Sequence, residues 1–138
     1  MKKITIQTYG ATENNPGPAA IACRVSEEDK GKLFEFSESI GNATASYAQF
    51  YAVAQALQVT REELAEKLSE YEYVLQLSNE SVKKQLNGEK IIDNPSLVPL
   101  FVEVHNIRVE SFSKLAVELV PEDSAKEVKD LAEKVLTA

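Results

Sequence analysis

A change of hydrophobic period near residue 44 restricts the fold of this chain more than any other sequence feature. Residues 3–9 and 32–40 alternate apolar and polar side chains, and residues 19–25 are apolar on both faces. Alternation with period two is typical of strands, whereas the apolar spacing from Thr44 to Leu57 is helical. Short polar turns containing Gly or Pro separate the three alternating segments. The sequence therefore predicts an antiparallel meander of three strands followed by a long helix.

The rest of the chain predicts alternating helices and strands. Thr44 or Ser46 is expected to cap the long helix. The later predicted elements are a helical extension or second short helix over 61–70, a strand over 71–78, a helix over 81–88, a helix from Pro95 to about Arg108, a strand over 114–121 and a last helix capped by Asp123 or Ser124. The order βββαβααβα predicts one α/β domain over residues 1–138, with a mixed five-stranded sheet and helices on both faces.

Charge and cysteine content limit the function classes. The 138 residues include 15 Lys and Arg against 22 Asp and Glu, a formal net charge of −7. Because non-specific nucleic-acid binders neutralise phosphates with Lys and Arg, this balance argues against strong nucleic-acid binding. The single cysteine, Cys23, lies in an apolar run and is expected to be buried. The sequence shows neither a signal peptide nor a long apolar segment, so a cytoplasmic protein without membrane contact is expected.

Five segments match, in order, the motifs of one enzyme family. They are TYGATENNPGPAA (8–20), SIGNATASYAQFYAVAQAL (39–57), QLSNESVKKQLNG (76–88), NPSLVPLFVEV (94–104) and ELVPEDSAKEVKDLAEK (118–134). The first is similar to T-D-G-A/S-x-x-x-N-P-G-P-A, and all five resemble the ribonuclease H family, in particular its short bacterial and archaeal branch. The match spans nearly the whole chain. The resemblance implies a ribonuclease H-like fold, which agrees with the βββαβααβα order.

The resemblance also implies an active site of four carboxylates that bind two Mg²⁺ ions. The four family positions fall here on Tyr9, Gln49, Ser78 and Lys129. Four carboxylates carry a charge of about −4, whereas these four side chains together carry about +1 at neutral pH. The resemblance therefore predicts a degenerate active site with no catalytic residue, no metal and no other cofactor.

The substrate-reading positions of the family also differ. The paired asparagines of the family motif are Ala45 and Ser46 here, and the arginine of V-P-R is Glu122, which reverses the charge. Asn15 and Gln85 keep polar family residues, and these two are the candidates for a substrate groove. The resemblance thus predicts weak or absent binding of nucleic acid.

A relocated metal site is the less favoured alternative. Glu13, Glu80 and Asp130 lie close in sequence to the lost carboxylates. Asp130 comes one residue late on a predicted helix, which turns it by about 100° from the required direction. Surface acids near helix starts are common because they suit the helix dipole. The only histidine, His105, lacks the partners of a catalytic triad and is expected on a helix surface.

Three functions remain open from the sequence. A pseudo-nuclease, used for binding or assembly with a protein as the expected partner, fits the missing carboxylates. The alternatives are a Mg²⁺-dependent ribonuclease acting on RNA–DNA hybrids through a relocated site, and a non-catalytic binder of nucleic acid. For the first, we expect Tyr9, Gln49, Ser78 and Lys129 to form a metal-free hydrogen-bonded cluster that holds the last helix to the sheet.

Overall fold

The secondary structure follows the predicted order βββαβααβα in the computed structural model, which describes residues 1–137. The strands are β1 (Lys2–Thr12), β2 (Gly17–Glu27), β3 (Gly31–Ala43), β4 (Tyr71–Leu77) and β5 (Ala116–Leu119). The α-helices are α1 (Ala45–Leu64), α2 (Glu80–Leu86), α3 (Val98–Ser111) and α4 (Lys126–Thr137). Short 3₁₀ turns cover Ala65–Glu70, Pro95–Leu97 and Glu122–Ala125.

The central strand of the sheet is β1, since the strand order is β3-β2-β1-β4-β5. It pairs antiparallel with β2 and parallel with β4, while β3 is antiparallel to β2 and β5 is parallel to β4. The predicted mixed five-stranded sheet is therefore confirmed. Because β1 and β4 are parallel neighbours, their carboxyl ends lie at the same edge of the sheet.

Helices cover both faces of the sheet, as predicted. Ile4 and Ile6 of β1 are fully buried in a large core with α1, α2 and α3. The alternate residues of β1 point the other way. There Ala11 packs in a smaller core against Val128 and Ala132 of α4. Small side chains on this side let α4 approach the strands closely. Within residues 1–137, no helix is both long enough and apolar enough to cross a membrane.

The contact of β1 with α1 depends on Gly10. A Cβ atom at this position would lie 2.4 Å from the Ala48 carbonyl carbon and 2.5 Å from the Gln49 nitrogen. Atoms that are not bonded cannot approach so closely, so only glycine allows strand and helix backbones to touch here. This contact fixes where the next residue of the helix, Gln49, meets the end of β1.

The long helix begins as predicted, and a second short helix, one of the two alternatives predicted over 61–70, follows it. The Thr44 side chain accepts a hydrogen bond from a backbone N–H three residues later, at 3.1 Å, so Thr44 and not Ser46 is the cap. The α-helix ends at Leu64, and residues 65–70 form a 3₁₀ turn instead of continuing it. The break falls at Ala65, whose φ of 46° is incompatible with a right-handed helix.

Two boundaries near the end of the chain also differ from the predictions. The strand predicted over 114–121 is confined to Ala116–Leu119, because it pairs only with β4, whose last residue is Leu77. Neither Asp123 nor Ser124 caps α4, since both lie inside the 3₁₀ turn that precedes it. The prediction of either residue as a cap was wrong, because a 3₁₀ turn cannot be distinguished from the first helical turn by apolar spacing.

Candidate functional site

The four degenerate family positions surround the carboxyl ends of β1 and β4. Tyr9 lies on β1, and Ser78 immediately follows β4. Each comes two residues after the paired residues Gln7 and Gln76, so the parallel register brings them side by side. Gln49 lies near the start of α1 and Lys129 near the start of α4. The fold therefore collects all four positions at one edge of the sheet.

Tyr9 and Lys129 share one carboxylate, that of Glu122. The Tyr9 hydroxyl donates a hydrogen bond to Glu122 Oε1 at 2.6 Å, and Lys129 Nζ lies 3.3 Å from the same oxygen. The hydrogen bond from Tyr9 and the ammonium of Lys129 hold the pKa of Glu122 below its usual value. Burial, reinforced by the bond to Glu122, raises the pKa of Tyr9, so its phenol stays neutral at physiological pH. These three side chains link α4 and the turn before it to β1.

A Tyr9→Phe variant is expected to raise the pKa of Glu122, because it removes the largest cause of the lowering. The stability that this carboxylate contributes is present above its unfolded pKa of about 4.3 and is lost as pH falls through the lower folded value. Since Glu122 is 51% exposed, the loss at neutral pH should stay below about 1 kcal/mol. A ¹³C NMR titration of Glu122 measures the pKa, with Tyr71→Phe at the opposite end of the sheet as control. An unchanged pKa in Tyr9→Phe would contradict the assigned bond.

The side chain of Gln49 is hydrogen-bonded to the backbone of β1. Its side chain is buried, with 7% of the residue exposed, and Nε2 donates to the Gly10 carbonyl at 2.8 Å. The bond is possible because Gly10 lets the helix approach the strand. It leaves the amide oxygen and the second N–H of this side chain free to meet a ligand.

The predicted hydrogen-bonded cluster of Tyr9, Gln49, Ser78 and Lys129 is wrong, because only two of these residues belong to it. Tyr9 and Lys129 do meet, but through Glu122, while Gln49 binds the main chain. Ser78 takes no part in this hydrogen-bonded group among residues 1–137. Glu122 was noted in the sequence only as a charge reversal. The signal that could have placed it is its distance of seven residues from Lys129 across a turn followed by a helix.

A cavity of about 350 Å³ opens beside Tyr9 and Gln49. Its walls come from the end of β1 and the following turn, the start of α1 and the last turns of α4. The lining residues are Tyr9, Gly10, Ala11, Thr12, Glu13, Ala45, Gln49, Glu133, Leu136 and Thr137. The degenerate site therefore adjoins an accessible pocket.

The two groove candidates have structural partners. Asn15 is exposed, and its side-chain oxygen accepts a hydrogen bond from the Ala45 N–H at 2.9 Å, which ties the β1–β2 turn to α1. Gln85 is buried and donates to the Ile91 carbonyl at 3.3 Å. This burial favours a role in holding the loop after α2. His105 is exposed on α3, as expected.

The acids considered for a relocated metal site are dispersed. Glu80 forms an ion pair with Lys84 at 2.7 Å, and Asp130 with Lys126 at 3.1 Å. Glu13 lines the cavity beside Tyr9, and neither Glu80 nor Asp130 lines that cavity. Within the described part of the chain, no three His, Cys, Asp or Glu side chains are grouped as metal ligands would be.

The chain is similar to two kinds of curated protein, although no family model matches it. It is 28% identical over 127 residues to a ribonuclease HI of Halobacterium salinarum, across 92% of this chain and 61% of that protein. It is 28% identical over 120 residues to a bifunctional protein of Mycobacterium tuberculosis, across 86% of this chain. The chain spans only 31% of the length of that mycobacterial relative.

Solved structures show the same architecture over almost the whole chain. A ribonuclease H1 isolated from compost by a metagenomic approach superimposes with a TM-score of 0.93 at 27% identity, covering 99% of this chain and 97% of that one. The ribonuclease H1 of Halobacterium salinarum gives a TM-score of 0.88 at 25% identity, covering 98% of each chain. The compost enzyme was also solved in complex with an RNA/DNA hybrid, with a TM-score of 0.91. The chain therefore has the ribonuclease H fold, and the family resemblance predicted from its motifs is confirmed.

Proposed function

We propose that this protein is a catalytically inactive ribonuclease H-like domain that serves as a binding or assembly module. The observation that carries the proposal is the ion pair of Lys129 with Glu122, joined by the hydroxyl of Tyr9. An ammonium and a phenol thus stand at two positions where the family resemblance implies carboxylates. Here they connect α4 to β1.

The residues at the four family positions do not fit a pair of Mg²⁺ ions. Mg²⁺ requires oxygen ligands, preferably charged, in near-octahedral geometry. Lys129 brings a positive charge, and the amide nitrogen of Gln49 faces the Gly10 carbonyl at 2.8 Å. The only carboxylate in the hydrogen-bonded group, that of Glu122, already has two partners. We therefore assign no metal and no metal-dependent step to this site.

A cleavage assay tests the proposal. The purified protein is expected to leave an RNA–DNA hybrid intact in Mg²⁺ or Mn²⁺, because all four carboxylate positions carry other side chains. An active ribonuclease H serves as positive control for the substrate. Metal-dependent cleavage that co-purifies with the protein and is abolished by Glu80→Gln or Asp130→Asn would overturn the proposal in favour of a relocated nuclease site.

Binding of nucleic acid without cleavage is the second candidate. It is favoured by the likeness to the ribonuclease H1 solved with an RNA/DNA hybrid. The net charge of −7 and Glu122 at the family arginine position argue against it. The same hybrid, fluorescently labelled, distinguishes the two candidates at physiological salt. Affinity tighter than about 10⁻⁶ M, the upper range of non-specific binding, would favour the second candidate.

A further inference from the structure

The cavity beside Tyr9 is acidic. The two charged side chains that line it within residues 1–137 are both carboxylates, Glu13 and Glu133. The nearest ammonium in the hydrogen-bonded group, that of Lys129, is paired with Glu122 at 3.3 Å. The lining therefore carries a formal charge of about −2 at neutral pH, which attracts cations and repels phosphates.

Gln49 adds a buried acceptor that is independent of these charges. Its amide nitrogen donates to the Gly10 carbonyl, so its orientation is fixed, and Oε1 has no donor among the described residues. This oxygen is not sealed inside the protein, because it is absent from the buried atoms that lack partners. An amide oxygen that a mostly buried side chain presents to a cavity can accept an N–H from a ligand there.

The remaining walls suit a group that is partly apolar. Leu136 and the ring of Tyr9 supply apolar surface. A volume of about 350 Å³ is at the small end of ligand-binding cavities. The walls therefore combine acceptors, acids and apolar surface.

We propose that this cavity binds an organic cation, an alkylammonium or guanidinium group such as those of Lys and Arg side chains. The inference rests on the proposed function, in which no metal pair occupies this edge of the sheet. Such a group donates several N–H bonds, carries positive charge and has an apolar stem, so it matches all three properties of the walls. A bare divalent ion matches them less well, because it needs a larger set of closely spaced ligands.

An NMR titration of the ¹⁵N-labelled protein tests this site. The probes are butylammonium, butylguanidinium and magnesium chlorides at constant ionic strength. We expect saturable shifts of the Gly10 and Thr12 amides and of the Gln49 side-chain NH₂ with the two organic cations. A Glu133→Gln variant should bind them roughly fivefold more weakly. Glu66→Gln is the matched control, because it removes the same charge from an exposed turn at the far end of α1, about 30 Å away.

Two outcomes would overturn the inference. Equal weakening by Glu133→Gln and Glu66→Gln would show general attraction to an acidic surface. Magnesium that produces the same shifts and displaces butylammonium would show a metal site. A further titration with Nα-acetyl-lysine amide distinguishes the two sources of such a cation. If this compound binds, the natural ligand is a lysine side chain of a protein. If it does not bind although butylammonium does, the natural ligand is a free amine. Hybrid cleavage tests the proposed function separately, because absent cation binding leaves the cleavage result unchanged.

Discussion

A Gly10→Ala variant is expected to lose about 3 kcal/mol of unfolding free energy, at the upper end of the usual cost of overpacking. The added Cβ would lie within 2.5 Å of the backbone of Ala48 and Gln49. No flexible side chain can give way, so α1 itself must move from β1. For a chain of this size, the loss corresponds to a fall in Tm of roughly 10 °C. Urea unfolding followed by circular dichroism measures the free energy directly.

A second glycine separates this steric effect from backbone strain. Gly41 has a φ of 79°, and a Cβ there would meet nothing within 4 Å. Gly41→Ala should therefore cost only about 1 kcal/mol, the price of a left-handed conformation for alanine. Equal losses in the two variants would contradict the close contact of β1 with α1.

Returning the family carboxylate at position 49 is expected to destabilise the protein. In Gln49→Glu, a buried carboxylate would replace an amide that now donates to the Gly10 carbonyl at 2.8 Å. Two oxygens would then face each other, and burial would further disfavour the charged form. A folded pKa raised by about 3 units would cost roughly 4 kcal/mol at pH 7.

The destabilisation by Gln49→Glu is expected to increase with pH. The folded pKa of the new carboxyl would lie above its unfolded value of about 4.3, so the penalty is absent below that pH and grows until the folded pKa is passed. Unfolding free energies at pH 4 and pH 7 measure the difference. Gln58→Glu, half-buried on the same helix, is the matched control and should change little. Equal stability of both variants at pH 7 would refute the hydrogen bond from the Gln49 side chain to the Gly10 carbonyl.

The fold was predictable because its signals are local. Alternation in the first three strands, the helical spacing after Thr44 and the turns between the strands each depend on neighbouring residues. Cys23 was correctly predicted to be buried, because the strand that contains it is apolar on both faces. The errors fell at the end of β5 and before α4, since the loss of a pairing partner and a 3₁₀ turn leave no periodic trace.

The bonds of the site were less predictable because they join distant segments. Tyr9 and Glu122 are 113 residues apart, and Gln49 meets Gly10 across 39 residues. The family resemblance correctly brought Tyr9 and Lys129 near each other. It could not reveal Glu122 as their common partner, because the family motif has an arginine there. The orientation of Gln49 depends on a close contact between the backbones of β1 and α1, which leaves no trace in the sequence pattern.

The topology of the sheet determines at what stage of folding the cavity forms. The β1–β2–β3 meander needs only local pairing, whereas β1 reaches β4 across nearly seventy residues. Local contacts form first, because the entropy of closing a long loop must be lost before its contacts contribute. The last turn of α4 completes the cavity wall, and it is also the last described part of the chain to be synthesised. The meander can therefore form before the long-range contacts that complete the cavity, which makes the cavity a late feature of folding.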